Sequence, residues 1–177
     1  TLKATGLLAL VSDKRDHEKS EGTFSERFVP QRYTRTRSKG KKTKTWVVNF
    51  NYESQVVDSK GHNFEVSYPL VGELLDRMIY QLQIAVDSKF ASQRERYGIA
   101  DRRKRKEYLV ERLAAEKLET VLGPLATERI ERRKNDQQKT VFWLAPKLHW
   151  LPVKVEHQDD GELTVATLLE IKFNAQP

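Results

Sequence analysis

Four histidines, His17, His62, His149 and His157, are the first candidates for chemistry in this chain. None stands at helical or hairpin ligand spacing from another. His149 and His157 could approach each other across the Leu148–His157 stretch, but a zinc site would need further nitrogen, sulfur or oxygen ligands that the pattern does not place. There is no cysteine, which removes disulfides, thiolate ligands and thiol nucleophiles. No Gly-x-Ser-x-Gly elbow and no phosphate-cradling glycine loop occurs. The carboxylates Glu107, Glu111, Glu116 and Glu119 alternate with Arg and Lys, which reads as solvated charge pairing. A glycosidase would need two carboxyls about 5–10 Å apart beside a sugar cleft, and the spacing identifies no such pair. The expectation is a non-enzymatic chain with no metal and no cofactor.

Binding chemistry is better represented. Arg35, Arg37, Lys39, Lys41, Lys42 and Lys44 crowd around one glycine turn, with Tyr33, Trp46 and Phe50 close by. Cations interleaved with aromatics are the recipe for single-stranded nucleic acid. The plainer reading is a solvated hairpin tip whose charges block sheet-to-sheet pairing. That reading is favoured, because Trp46 and Phe50 share a face with Val48 and belong to a core. A second candidate is apolar: Trp46, Phe50, Phe64, Leu74, Met78, Leu82, Trp143 and Leu169 could line a pocket for a hydrophobic or lipid ligand. The simpler alternative is that they fill a core, as small curved sheets require.

The elements that would position these residues are mainly strands. In Thr45–Tyr52 the residues Trp46, Val48, Phe50 and Tyr52 share one face, and Asn63–Tyr68 and Leu163–Phe173 repeat the alternation. Turn signals at Ser38-Lys39-Gly40, Ser59-Lys60-Gly61, Asn135-Asp136 and Asp159-Asp160-Gly161 separate the runs. The pattern predicts an antiparallel meander with one dry face and one wet face. One segment differs: Glu73–Ser88 places Leu74, Leu75, Met78, Ile79, Leu82, Ala85 and Val86 on one helical arc, predicting the main helix. It would plug the open side of the sheet, or act as a lid over a cavity. Asp101–Gly123 is rich in helix formers, so propensity alone makes it helical, although Glu107–Arg112 also reads as a strand with Tyr108 and Val110 on one side.

At 177 residues one domain is expected. Lys and Arg outnumber Asp and Glu by 32 to 25, a net charge of +7. That surplus permits anionic partners such as nucleic acid, phospholipid headgroups or acidic polysaccharide. No run of about 18 apolar residues occurs, so no transmembrane helix is expected.

The stretch Val141–Gly161 reads strand, Pro-containing corner, strand and Asp-Gly turn. Its wording, W-L-A-P then L-P-V-K-V-E, resembles the closing hairpin of a bacterial family, domain of unknown function 3108. The likeness continues through Gly6-Leu7-Leu8, Ser20-Glu21-Gly22, the Tyr33–Tyr52 hairpin, Met78-Ile79-Tyr80-Gln81-Leu82, Leu118-Glu119-Thr120 and Leu122-Gly123-Pro124-Leu125. The order of all these pieces carries the resemblance. It implies a mainly β fold: a curved antiparallel sheet forming a spiral or half-open barrel, with the helix of about residues 73–88 against its concave side. It also implies strands, not a helix, in 101–121. Members carry a secretion signal and a further strand pair, so the resemblance implies an exported, periplasmic protein with both of these expected upstream of Thr1. The implied shape is similar to that of the lipoprotein-localisation carriers, an analogy of fold only. The family supplies no catalytic residues. The resulting expectation is binding or cell-envelope scaffolding, of a hydrophobic or lipid ligand, an anionic membrane surface or an envelope protein. A protein-interaction module using the sheet edge or basic tip is the alternative, and nucleic acid is disfavoured for an exported chain.

Overall fold

A computed structural model describes residues 2–7, 14–92, 94–135 and 137–169. The chain forms two compact units, Thr1–Ile84 with Arg96–Tyr108, and Ala85–Glu95 with Leu109–Pro177.

In the first unit, β1 (Leu2–Leu7), β2 (Lys14–Phe24), β3 (Phe28–Lys39), β4 (Lys42–Asn51), β5 (Val56–Gly61) and β6 (Phe64–Pro69) form a six-stranded sheet in chain order. Every neighbour is antiparallel. The period-two pattern survives folding: Trp46, Val48 and Phe50 are buried on β4 while Asn49 and Asn51 are exposed. With Tyr33, Val57, Leu70, Leu74 and Ala100 they make one core cluster, against which Phe64, Tyr68 and Met78 pack. Burial of each such side chain contributes roughly 1.5–3 kcal/mol.

The helix is shorter than periodicity predicts and turned. Leu74–Leu75 is a strand, β7, parallel to β8 (Arg96–Ala100) through Leu74↔Gly98 and Leu75↔Ile99. Helix α1 spans Ile79–Lys89. Its start is set by Asp76, whose Oδ1 accepts from the backbone N–H groups of Met78 and Ile79, both at 2.8 Å. A short acceptor at that place satisfies the free donors of a first helical turn and ends the preceding strand. Ile79, Tyr80, Gln83 and Ile84 are buried, whereas Leu82 is half-buried. Hydropathy misplaced the arc because it could not count Gln83 as buried. The Gln83 Oε1 atom accepts the N–H of Phe28 at 3.0 Å, which ties α1 to the start of β3.

Strand β9 (Arg105–Thr120) begins in the first unit and continues into the second, followed by β10 (Gly123–Asn135), β11 (Gln138–Ala145), β12 (Leu151–Asp159) and β13 (Glu162–Thr167). The second sheet has the order β13-β12-β11-β10-β9-β8-β7, antiparallel from β13 to β9. The stretch that propensity reads as helix is thus a 16-residue strand. Pairing with β10 puts Leu113 and Leu118 against a core of Leu125, Val141, Trp143, Ala145 and Val153, and tertiary burial overrides local preference. The Pro corner is a 3-10 turn, Pro146–Leu148, and the Asp-Gly turn adopts positive φ at Asp160 (47°) and Gly161 (87°), as two-residue hairpin turns demand.

The apolar stripe of β13 departs from expectation. Leu163 is 61% and Val165 49% exposed, and Leu169 just past the strand is 74% exposed. Alternation establishes that two faces differ, not which one is covered. Ile171 and Phe173 lie outside the described residues. Among the described residues no helix is long and apolar enough to cross a membrane.

Candidate functional site

The basic tract sits where β3 turns into β4. The register runs Arg35↔Trp46, Thr36↔Thr45, Arg37↔Lys44, Ser38↔Thr43 and Lys39↔Lys42, with Gly40 at φ +55° opening the two-residue turn. Since side chains alternate, Arg37, Lys39, Lys42 and Lys44 all project from the face that carries Arg35 and Trp46. Thr36, Ser38, Thr43 and Thr45 project from the other, where hydroxyls pair across the strands: Thr36 with Thr45 and Ser38 with Thr43, both at 3.0 Å. The hairpin end therefore has one cationic face and one hydroxyl face.

Arg35, expected on the basic surface, is instead buried, 7% exposed. Its Nε lies 3.0 Å from Glu18 Oε1, and its guanidinium stands 5.2 Å from the Trp46 ring centroid. The register explains this: opposite Trp46, Arg35 stands at the margin of the core and needs a carboxylate. Glu18 also accepts the Tyr33 hydroxyl at 2.8 Å. Burial and the charge of Glu18 push the Tyr33 phenol far above its usual range. Lys39, Lys41, Lys42 and Lys44 are exposed, and among the described residues no carboxylate is ion-paired to them.

A second basic segment, which helix propensity concealed, joins this end. Asp101-Arg102-Arg103-Lys104 is a turn between β8 and β9, closed by Asp101 N–H donating to the Lys104 carbonyl at 3.1 Å. The Arg102 guanidinium lies 5.2 Å from the Trp46 centroid and 5.1 Å from that of Phe64, and Arg103 lies 5.0 Å from Phe64. Such contacts contribute roughly 0.5–1 kcal/mol each when exposed. The turn is anchored through Asp101, whose carboxylate meets Lys106 and, at 3.7 Å, Arg77, and whose carbonyl accepts the Tyr68 hydroxyl at 2.8 Å. Burial opposes the Asp101 charge, but the bonds from Lys106 and the Arg102 backbone, with Arg77 beside it, hold the carboxyl below its usual range. The signal available in the sequence was the run RRKRK, one aspartate after a strand-like Tyr-Gly-Ile-Ala.

The eight apolar candidates are not assembled as one group. Trp46, Phe50 and Leu74 belong to the first unit's core, with Phe64 and Met78 packed on it. Trp143 belongs to the second unit's core, Leu82 is half-buried and Leu169 is exposed. Around Trp143, Lys154 stands 4.4 Å and Arg129 5.5 Å from the ring centroid, and Glu116 accepts the indole N–H at 2.9 Å. A shallow surface depression in the first unit, with no enclosed space for a water molecule, is lined by Gly22, Thr23, Phe28, Val29, Pro30 and Ile79, none of them among the eight. Of the histidines, His62 and His149 are exposed in turns, His17 is exposed on β2, and His157 Nδ1 pairs with the Thr140 hydroxyl at 2.9 Å.

The model of the family described as protein of unknown function (DUF3108) matches residues 1–167. The chain belongs to that family. Neither the curated proteins nor the solved structures contain a match to it.

Proposed function

We propose that this chain is an exported, non-enzymatic binding or scaffolding protein of the bacterial cell envelope that meets its partners through its surface. One observation carries the reading: Trp46, Phe50 and Leu74, the residues best suited to line a ligand cavity, are 7%, 6% and 3% exposed and packed together with Phe64 and Met78. A close-packed interior of this kind spends its large side chains on stability. What remains for recognition is the outside of the unit, where the basic end is the most strongly charged feature. The resemblance supports export to the periplasm, and the absence of cysteine is compatible with that compartment and with the cytosol alike.

The competing reading is a carrier, in which the first sheet curls into a half-open barrel with α1 on its concave side and an acyl chain within. Native mass spectrometry of freshly purified protein separates the two. The surface-binding reading expects the polypeptide mass alone. A stoichiometric adduct of lipid mass that survives desalting would overturn it in favour of the carrier.

A further inference from the structure

We infer that the cationic face of the β3–β4 hairpin, together with the Arg102–Arg103 turn, docks the first unit onto a bilayer surface rich in acidic phospholipids. The inference rests on the surface-binding reading and names its partner.

The charge distribution is the starting point. Lys39 and Lys42 stand directly opposite each other across the ladder, and Arg37 and Lys44 do so two pairs nearer the core. Like charges in that position destabilise a hairpin. On β2, Asp16 stands opposite Arg37, so the charge surplus of this face is carried by its lysines. The ladder between β4 and β5 ends at Trp46↔Gly61, so β4 runs four residues past β5, roughly 13 Å at the rise of a strand, while β2 accompanies β3 to Lys14↔Lys39. Arg102 and Arg103 rest on Trp46 and Phe64, where β4 leaves β5.

The type of cation and the state of the aromatics select the partner. Lysines on flexible stems are hydrated point charges, suited to mobile headgroup phosphates that gather beneath them without fixed geometry. A nucleic-acid strand would need open ring faces on which bases stack. Here Trp46 is buried, with Arg35 and Arg102 against its ring, and Arg102 and Arg103 stand over Phe64. Turn residues Gly40 and Lys41 offer no apolar side chain for insertion, so attachment is electrostatic and reversible.

Sedimentation with vesicles tests this. The intact protein should bind vesicles of equal phosphatidylcholine and phosphatidylglycerol, ignore phosphatidylcholine alone, and release as sodium chloride rises. The triple variant K39Q/K42Q/K44Q should bind about a hundredfold more weakly, from about fivefold per lysine near an anionic surface. Its melting temperature should match that of the parent. K89Q/K117Q/K147Q, equal in charge change but outside the hairpin, should lose less than about threefold. Absence of binding to the mixed vesicles, or equal losses in both triple variants, would overturn the inference. So would a loss confined to binding of single-stranded nucleic acid. R102Q/R103Q, expected to weaken vesicle binding at least tenfold, provides a second test should the lysine variant not fold. A bare polypeptide mass in native mass spectrometry combined with no vesicle binding would remove the lipid partner and leave the surface-binding reading standing.

Discussion

The Ser20 hydroxyl donates to Oδ2 of Asp76 at 2.5 Å, joining β2 to the head of α1, while Oδ1 of the same carboxylate caps the helix. Both residues are buried, Asp76 fully. A single carboxyl thus fixes where β7 ends, where α1 begins and how the pair meets the sheet.

Asp76 should give the protein an unusual pH dependence. Burial pushes its carboxyl up to about 6, against the lowering effect of Ser20 and the two backbone donors. The folded state then holds a proton that the unfolded chain has already released, so this group's contribution is full below about pH 4 and lost as pH rises through about 6. The size is of order 3 kcal/mol. Asp76→Asn retains an oxygen for the cap and removes the charge. Chemical denaturation from pH 4 to 7 should show that fall in the parent and not in the variant; parallel profiles would exclude Asp76 as its source.

The buried side of α1 is testable against the side that hydropathy selects. Ile79→Ala should cost about 2–5 kcal/mol, because Ile79 is 3% exposed. Leu82→Ala, at a half-buried position, should cost about 1 kcal/mol. Urea denaturation midpoints of the two variants give the order, and a reversed order would mean that the helix is rotated from this position.

Gly98 sets the approach of β7 to β8. A Cβ there would lie 2.8 Å from the Glu73 carbonyl oxygen and 2.9 Å from Leu74 Cδ2. The first is backbone and cannot swing away. Gly98→Ala should therefore destabilise by about 1–3 kcal/mol through overpacking. Amide exchange at Leu74 and Leu75 should accelerate in the variant; unchanged protection would show that the parallel pair tolerates the methyl.

The basic hairpin end should contribute charge and little stability. Lys39, Lys41 and Lys42 are exposed and two of them face each other. Replacing all three with Gln should leave the melting temperature unchanged or slightly raised. Calorimetry reads this directly, and a clear drop would place the tip in contact with other parts of the unit.

Much of this architecture was legible in the residues alone. Alternation in Thr45–Tyr52 is a local property of a half-buried strand, and it placed Trp46, Val48 and Phe50 on the core side of β4. Gly40 and Asp160-Gly161 marked turns because few other residues adopt positive φ cheaply. The family, and with it the strand identity of β9, came from the order of short motifs spread over the chain. Other features were decided only by tertiary contact. Leu74–Leu75 shares the helical phase of Ile79, and only the ladder to Gly98–Ile99 made it a strand. Arg35 and Lys44 look alike in the sequence, yet Glu18 and Trp46 buried the first and left the second exposed. Arg102 joined the basic end because its turn folds onto Trp46, 56 residues earlier in the chain. Periodicity reports which residues share a face. Which face is covered, and which charge meets a partner, depends on segments far apart in the chain, and only the folded structure brings those together.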